Sequence, residues 1–417
     1  MTKKILLKGP LLTRSGYGEQ SRFALRSLRS RPDLFEIYIQ PLQWGQTSWI
    51  SEEGPEKDWI DHTIEKTIGF IQQGGHFDLS LQVTIPNEWE NIAPINIGYT
   101  AGMETTKVAH QWILKGNEVD KIVVVSNHSR DVYKNTEYVA THTQTNEQVA
   151  IKLETPIASV NYPVKDFGES VDLGLDLEYD FNFLVMAQAG PRKNLPNTIK
   201  WFVEEFHNDE VGLVVKANIA KNCLMDREKL YNDLKLFLVN YPERKCKIYL
   251  LHGDMSDQEI HALFEHPKLQ AFVTFTHGEG FGLPIFEAAY TGVPVIAPGW
   301  SGQLDFLVNK EKGTSEFYNV EYDVSPIPEQ VIWEDVIIKE SMWAYPREHS
   351  AKQQMRRCYA DLTGENKEQT IERTLSHAQH LRETFSEEKQ YAQMVEEICN
   401  TTGVDAAAPE PEVLEFE

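Results

Sequence analysis

At 417 residues, with 41% apolar and 25% charged side chains, the chain is long enough for two domains, each with its own core, and its composition is neither fibrous nor low-complexity. A formal charge of −23 speaks against broad nonspecific binding to nucleic acid or anionic lipid. No apolar run approaches bilayer-spanning length, MTKKILLKGPL shows no signal-cleavage pattern, and Cys223, Cys246, Cys358 and Cys399 have no paired spacing, so neither transmembrane segment, disulfide framework nor zinc site is indicated and a cytoplasmic protein is expected.

The chain opens on a strand at 4–8, a loop over 11–20 that holds Gly16 and Gly18, and a helix over 19–30. On that helix Arg22, Arg26 and Arg29 recur at helical spacing beside the loop. Three guanidinium groups on one face suit either an anion seat for a phosphate-bearing acceptor or a solvated face paired with acids. A strand at 35–40 precedes a helix over 59–72 whose Ile60, Ile64, Ile68 and Ile71 read as core. Strands at 77–83 and 95–100 follow, then the polar turn 101–106 carrying Glu104 and Thr105, a helix over 108–115, an apolar strand at 122–126 and a helix from 127. Glu104 follows a strand end, where sites of open α/β sheets gather; as a bare carboxylate it equally suits a helix N-terminus. Alternating strands and helices predict a parallel sheet covered on both faces, while 138–143 and 148–153 predict a hairpin around a polar turn at 144–147.

Acids and glycines crowd residues 166–180 without helical periodicity, which places a boundary between a domain of 1–170 and one of 171–370. The second domain begins with a strand at 181–187, a loop over 188–194 bearing Arg192 and Lys193, and a helix over 196–206. Strands at 211–216, 247–251 and 271–275 alternate with helices at 225–239 and 256–264. Residues 275–301, FTHGEGFGLPIFEAAYTGVPVIAPGWS, then read as strand end, glycine turn, helix and strand, with Pro284 in the helix's first turn. The turn's glycines admit a ligand to the backbone, and the N–H groups of Gly280, Phe281, Gly282 and Leu283 at a helix start form a phosphate seat. Glu279 and Glu287 flank that seat, and a carboxylate accepts two hydrogen bonds from a vicinal diol, so one can hold a ribose and the other a sugar ring. Helices are expected at 349–362 and 367–399, followed by a disordered tail over 401–417, which has five acids and no bases after Gly403.

GEGFGLPIFEAAYTGVPVIA closely resembles the signature of the retaining, nucleotide-sugar-dependent glycosyltransferases of the fourth sequence family, whose hallmark is two glutamates at this spacing. The resemblance implies an α/β protein with two Rossmann-like domains facing each other across a cleft, the glycosyltransferase-B fold, with a C-terminal helix (371–400) crossing back onto the first domain. It implies a nucleotide-diphosphate sugar as co-substrate, with no cofactor and no metal. Arg192 and Lys193 would hold the diphosphate, Glu279 the transferred sugar and Glu287 the ribose, and the loop with Gly16 and Gly18 would lie near the donor phosphate. Glu104 and Thr105, with Trp112 after them, match the acceptor side, where the family often has a histidine and the nearest here is His110. The donor's base and sugar stay open, as does the acceptor: saccharide, lipid, protein, metabolite or hydroxylated nucleic-acid base. The same architecture also serves sugar-nucleotide epimerases and non-catalytic sugar-nucleotide-binding modules.

Overall fold

A computed structural model describes residues 2–45, 47–51, 53–141, 148–309, 313–403 and 406. The first domain contains β1 (Lys3–Gly9), α1 (Gly16–Arg29), β2 (Phe35–Pro41), α2 (Pro55–Gln72), β3 (Leu79–Val83), β4 (Ile95–Thr100), α3 (His110–Gly116), β5 (Lys121–Val124), α4 (Asn127–Asn135), β6 (Glu137–Thr141), β7 (Gln148–Lys152) and β8 (Ile157–Ser159). Six strands form one parallel sheet in the order β2-β1-β3-β4-β5-β8, and β6 and β7 pair as the expected antiparallel hairpin, whose turn at 144–147 lies outside the described residues.

The second domain runs through β9 (Asn182–Gln188), α5 (Leu195–Glu205), β10 (Gly212–Asn218), α6 (Leu224–Leu238), β11 (Lys247–Leu251), α7 (Asp257–Glu265), β12 (Leu269–Val273), α8 (Leu283–Tyr290), β13 (Val295–Pro298) and α9 (Leu304–Leu307). The short pair β14 (Val308–Asn309) and β15 (Thr314–Ser315), β16 (Tyr318–Val320), a hairpin of β17 (Tyr322–Pro326) with β18 (Met342–Pro346), and helices α10 (Glu348–Thr363), α11 (Lys367–Thr384) and α12 (Glu387–Thr402) complete it. Its six-stranded sheet, ordered β11-β10-β9-β12-β13-β16, is also parallel throughout. Successive residues of its strands enter opposite cores: Phe183 and Val185 pack with α5 and α10 residues, whereas Leu184 and Phe272 face α7 and α8.

The seam between the domains is aromatic. Phe23, Tyr162, Phe281, Phe286 and Phe385 form a relay of ring contacts at 5.8, 5.1, 5.1 and 5.5 Å, so one buried cluster draws on both sheets. The linker joins it where the Val164 N–H donates to the Phe385 carbonyl at 2.7 Å.

Three expectations are corrected. Helix α1 begins at Gly16 behind the Ser15 cap, so Gly16 and Gly18 stand in its first turn and not in the preceding loop. On α2, Ile68 and Ile71 are more than half exposed and Thr63 and Thr67 are buried in their place. The reason is an edge strand: the Ile39 N–H of β2 needs a partner and donates to Thr67 Oγ1 at 2.8 Å, which rotates the helix's threonine face inward. The final helix is two helices, because the chain breaks at Phe385 and Ser386 caps α12 by accepting from the Lys389 N–H. Helix α11 packs on α8, and α12 crosses to α1 and β4 of the first domain. The expected disordered tail falls almost wholly outside the described residues, since α12 reaches Thr402 and only Ala406 is described beyond Gly403.

Candidate active site

In the second sheet the chain leaves central β9 for β10 on one side and returns to β12 on the other. The loops after β9 and β12 therefore diverge at a topological switch point, where open α/β sheets bind ligands. Several bonds stitch these two loops together. Asn194, in a left-handed conformation, donates to the Phe275 carbonyl at 3.0 Å, and the His277 N–H donates to the Arg192 carbonyl at 2.8 Å.

This stitching brings Arg192 and Lys193 against Glu279. Lys193 Nζ lies 2.6 Å from Glu279 Oε1, and Arg192 donates through one terminal nitrogen to Glu279 Oε2 at 2.8 Å and to the Gly278 carbonyl at 2.6 Å. From the first domain Glu104 reaches across, its Oε1 lying 3.3 Å from Arg192 Nε. Burial alone would raise the Glu279 carboxyl, but the charges of Arg192 and Lys193 outweigh it and hold the pKa at about 2. Burial and the neighbouring guanidinium pull the Lys193 ammonium below its ordinary value, against the pull of Glu279. The Glu279 backbone is fixed too, its N–H donating to Ser301 Oγ at 2.8 Å, and Ser301 has a φ of 69°.

The turn's glycines have a role beyond ligand approach. A Cβ on Gly280 would stand 2.5 Å from the Ala101 carbonyl, and one on Gly278 would stand 2.8 Å from that of Glu104. Those two positions admit the first domain's 101–104 loop, while Gly282 (φ 99°) turns the chain into α8. Among the described residues no hydrogen bond occupies the N–H groups of Gly280, Phe281, Gly282 and Leu283, which line the cleft at the positive end of α8.

Glu287, about one turn into α8, has the opposite surroundings. Its carboxylate makes no hydrogen bond or ion pair among the described residues and faces Glu19, Tyr162, Lys165 and Tyr290 at the seam. Burial pushes its pKa up to about 8, with nearby Lys165 opposing only in part. Lys165 is itself held by Glu19 at 2.6 Å and Asp257 at 3.3 Å.

The cleft over these groups encloses about 830 Å³, within the range of small-molecule sites. Gly16 lines it; Gly18 does not, because a Cβ there would meet the Thr13 carbonyl at 2.0 Å and the missing side chain serves that packing. Thr105 is buried away from the cleft with its hydroxyl on the Lys107 carbonyl at 3.1 Å, and Trp112 is core, donating to Asn87 at 2.7 Å. His110 is exposed; His128 lies 3.3 Å from the Thr105 carbonyl and edge-on to Trp300 at 5.2 Å. Arg22 and Arg26 border the cleft but are engaged. Arg22 donates to the Leu11 and Thr13 carbonyls and to Glu19, and Arg26 forms a two-bond pair with Glu56 at 2.7 and 2.8 Å, while Arg29 stacks on Trp59.

Tyr17, Trp44, Lys165 and Ser301 are further contributors to the site that sequence reasoning did not single out. Ser301 alone carried a local sign, the glycine-flanked turn GWSG; the others are single residues that only the fold brings to the cleft.

No protein-family model and no curated protein sequence matches the chain. Solved structures do share its fold. A glycosyltransferase from Rickettsia africae ESF-5 aligns over 96% of this chain and 98% of its own at 14% identity and TM-score 0.60. Sucrose-phosphate synthase from Thermosynechococcus elongatus aligns over 97% and 100% at 12% identity and TM-score 0.60. Anabaena Alr3699/HepE, solved with UDP and glucose, aligns over 95% and 100% at 11% identity and TM-score 0.54. The likeness extends over both sheets and is one of architecture, the α/β arrangement of two Rossmann-like domains about a cleft.

Proposed function

We propose that the protein transfers a sugar from a nucleoside-diphosphate donor to a hydroxyl acceptor, with retained configuration and without a metal. The observation that carries this reading is the cluster of Arg192, Lys193 and Glu279 at the switch point, next to the unengaged N–H groups that open α8. As the bond from the anomeric carbon to the phosphate oxygen breaks, the electron pair leaves with the diphosphate. Two cations and a row of N–H dipoles are preorganised for that charge, which is where electrostatic catalysis is most effective. The acceptor oxygen bonds to the anomeric carbon on the face the diphosphate leaves, and its proton passes to the departing phosphate oxygen. Glu279 would direct the transferred sugar, and a diphosphate entering the cluster competes with its carboxylate for the same donors. Glu287, protonated near neutral pH in the free protein, would release its proton on donor binding and accept both ribose hydroxyls as the carboxylate. Glu104, the first-domain group that reaches the cluster, would face the acceptor, and the reaction would take place in the cytoplasm.

The crystal of the Anabaena protein contains UDP, which makes uridine donors the first to test. Thermal unfolding with UDP, GDP and ADP in turn should show one nucleotide stabilising the protein, by about 2.7 kcal/mol at a hundred times its dissociation constant. Absence of any response would overturn the reading. Turnover should survive excess chelator, because the basic loop supplies the positive charge; loss restored by manganese or magnesium would overturn the metal-independent form.

A further inference from the structure

The cleft wall opposite Glu279 belongs to the first domain, and its chemistry bears on the acceptor, given the transfer reaction proposed above. Trp44 lines the cleft half-buried, with the Tyr17 ring behind it at a centroid distance of 4.2 Å. The Tyr17 hydroxyl is anchored on Thr100 Oγ1 at 2.7 Å, at the end of β4, and the loop leaving that strand carries Glu104 to Arg192. A short run of contacts thus ties the indole to the reaction centre. The segment bearing Trp44 is pinned as well: the Arg14 N–H donates to the Ser48 carbonyl and the Ile50 N–H to that of Leu12, each at 2.8 Å. The indole N–H makes no hydrogen bond among the described residues.

Each cation on this wall is already engaged within the protein. Arg14 donates to the Met255 carbonyl at 3.0 Å, Arg22 to Glu19, Arg26 to Glu56 and Glu19, and Lys165 to Glu19. An anionic acceptor would have to compete with these contacts, and because Arg22, Arg26 and Lys165 all lie on the buried Glu19 carboxylate, drawing one of them away costs part of the charge balance there. Arg22 holds the loop at Leu11 and Thr13, and Arg26 is taken by Glu56 and Glu19, so neither stands ready as a phosphate seat. A fixed aromatic face beside hydroxyl and carboxylate acceptors, with no spare cation, suits the apolar C–H face and hydroxyl rim of a neutral sugar ring.

We infer that Trp44, backed by Tyr17, forms the acceptor subsite and that the acceptor is a neutral saccharide. The full-length protein is titrated, with and without UDP, with methyl glycosides and disaccharides of the common hexoses and with glucose 6-phosphate, and binding is read by saturation-transfer NMR. At least one neutral glycoside should bind in the millimolar range; Trp44→Ala should weaken it roughly tenfold or more and Trp44→Phe should restore part of the loss. Glucose 6-phosphate should bind no tighter than its neutral counterpart at low salt. The inference fails if no neutral saccharide binds, if Trp44→Ala leaves binding unchanged while the variant keeps wild-type circular dichroism, or if the phosphorylated sugar binds about tenfold tighter. Nucleotide-induced stabilisation is scored separately. Its absence in the wild type overturns the donor reading, whereas its presence without saccharide binding overturns only this one.

Discussion

Glu279 and Glu287 belong to the same turn and helix, yet the fold gives them opposite electrostatics. Glu279 lies between two cations that hold its pKa at about 2; Glu287 has no hydrogen-bond or ion-pair partner among the described residues, and burial raises its pKa to about 8. Both carboxylates lose water, so desolvation does not separate them. What differs is the strand end each approaches: the turn meets the basic loop after β9, whereas the helix interior meets the interdomain seam, where Lys165 is already taken by Glu19. On the proposed reading, one end of the segment would meet negative charge in a leaving group and the other would accept hydroxyl donors.

The largest effect should come from breaking the charged end. Glu279→Gln should lower turnover by about 10²–10³ while leaving nucleoside-diphosphate affinity unchanged or higher, because the cations lose their internal competitor. Lys193→Ala should reduce kcat more than it raises the donor KM, since its role grows as the bond breaks. Steady-state kinetics with the cognate donor decides both, and a pure KM effect would make Lys193 a uniform binder.

At the neutral end, Glu287→Gln should weaken nucleoside-diphosphate binding by about 1.5–3 kcal/mol, with chemistry less affected. Calorimetry with UDP and 2′-deoxy-UDP sharpens the point. The wild type should distinguish the two ligands and the variant should not; equal discrimination would remove Glu287 from the ribose.

The turn between the two ends is tested by Gly280→Ala, whose Cβ would press on the Ala101 carbonyl at 2.5 Å. Destabilisation of about 1–3 kcal/mol, with weakened acceptor-dependent turnover, is expected from forcing the domains apart. A variant as stable as the wild type would mean that the 101–104 loop yields freely.

The smallest effect is a slope with pH. Folded Glu287 keeps its proton up to about 8 while an unfolded carboxyl loses it near 4.5, so between those values the folded state binds more protons and stability falls as pH rises. From pH 6 to 7 the loss should be about 1 kcal/mol, and Glu287→Gln should abolish it. Glu279 has the opposite sign: its contribution is complete above the ordinary carboxylate range and is lost only as pH falls toward 2, leaving no slope in the neutral window. Urea unfolding of both proteins at those pH values compares them, and an identical slope would show that Glu287 is not the titrating group.

Alternation of apolar runs with helical periodicity was enough to locate nearly every strand of both sheets, including β4 and β11 to the residue. The strand–turn–helix of the signature and the loop bearing Arg192 and Lys193 were equally legible, because glycine, proline and adjacent cations act locally on the backbone. Residues 308–346 were not, since β16 extends the sheet with only three residues and β17 and β18 are stable only by pairing with each other. On α2, two of the four isoleucines at helical spacing, Ile68 and Ile71, are exposed while Ile60 and Ile64 meet the core, because an edge strand's need for a hydrogen-bond partner outweighed the burial of two side chains.

Sequence alone therefore determined the α/β class, the two sheets and the chemical types gathered at the switch point of the second sheet, all of which rest on local pattern. Tertiary structure decided the charge state of each group and whether it was free. Three arginines on one helix face are the same in either of two roles until Glu19 and Glu56 meet Arg22 and Arg26, and a tryptophan in a loop has no meaning until Tyr17 and the cleft stand beside it. Those pairings join residues far apart in the chain, and electrostatic and stacking energies depend on distances in space that no spacing along the chain contains.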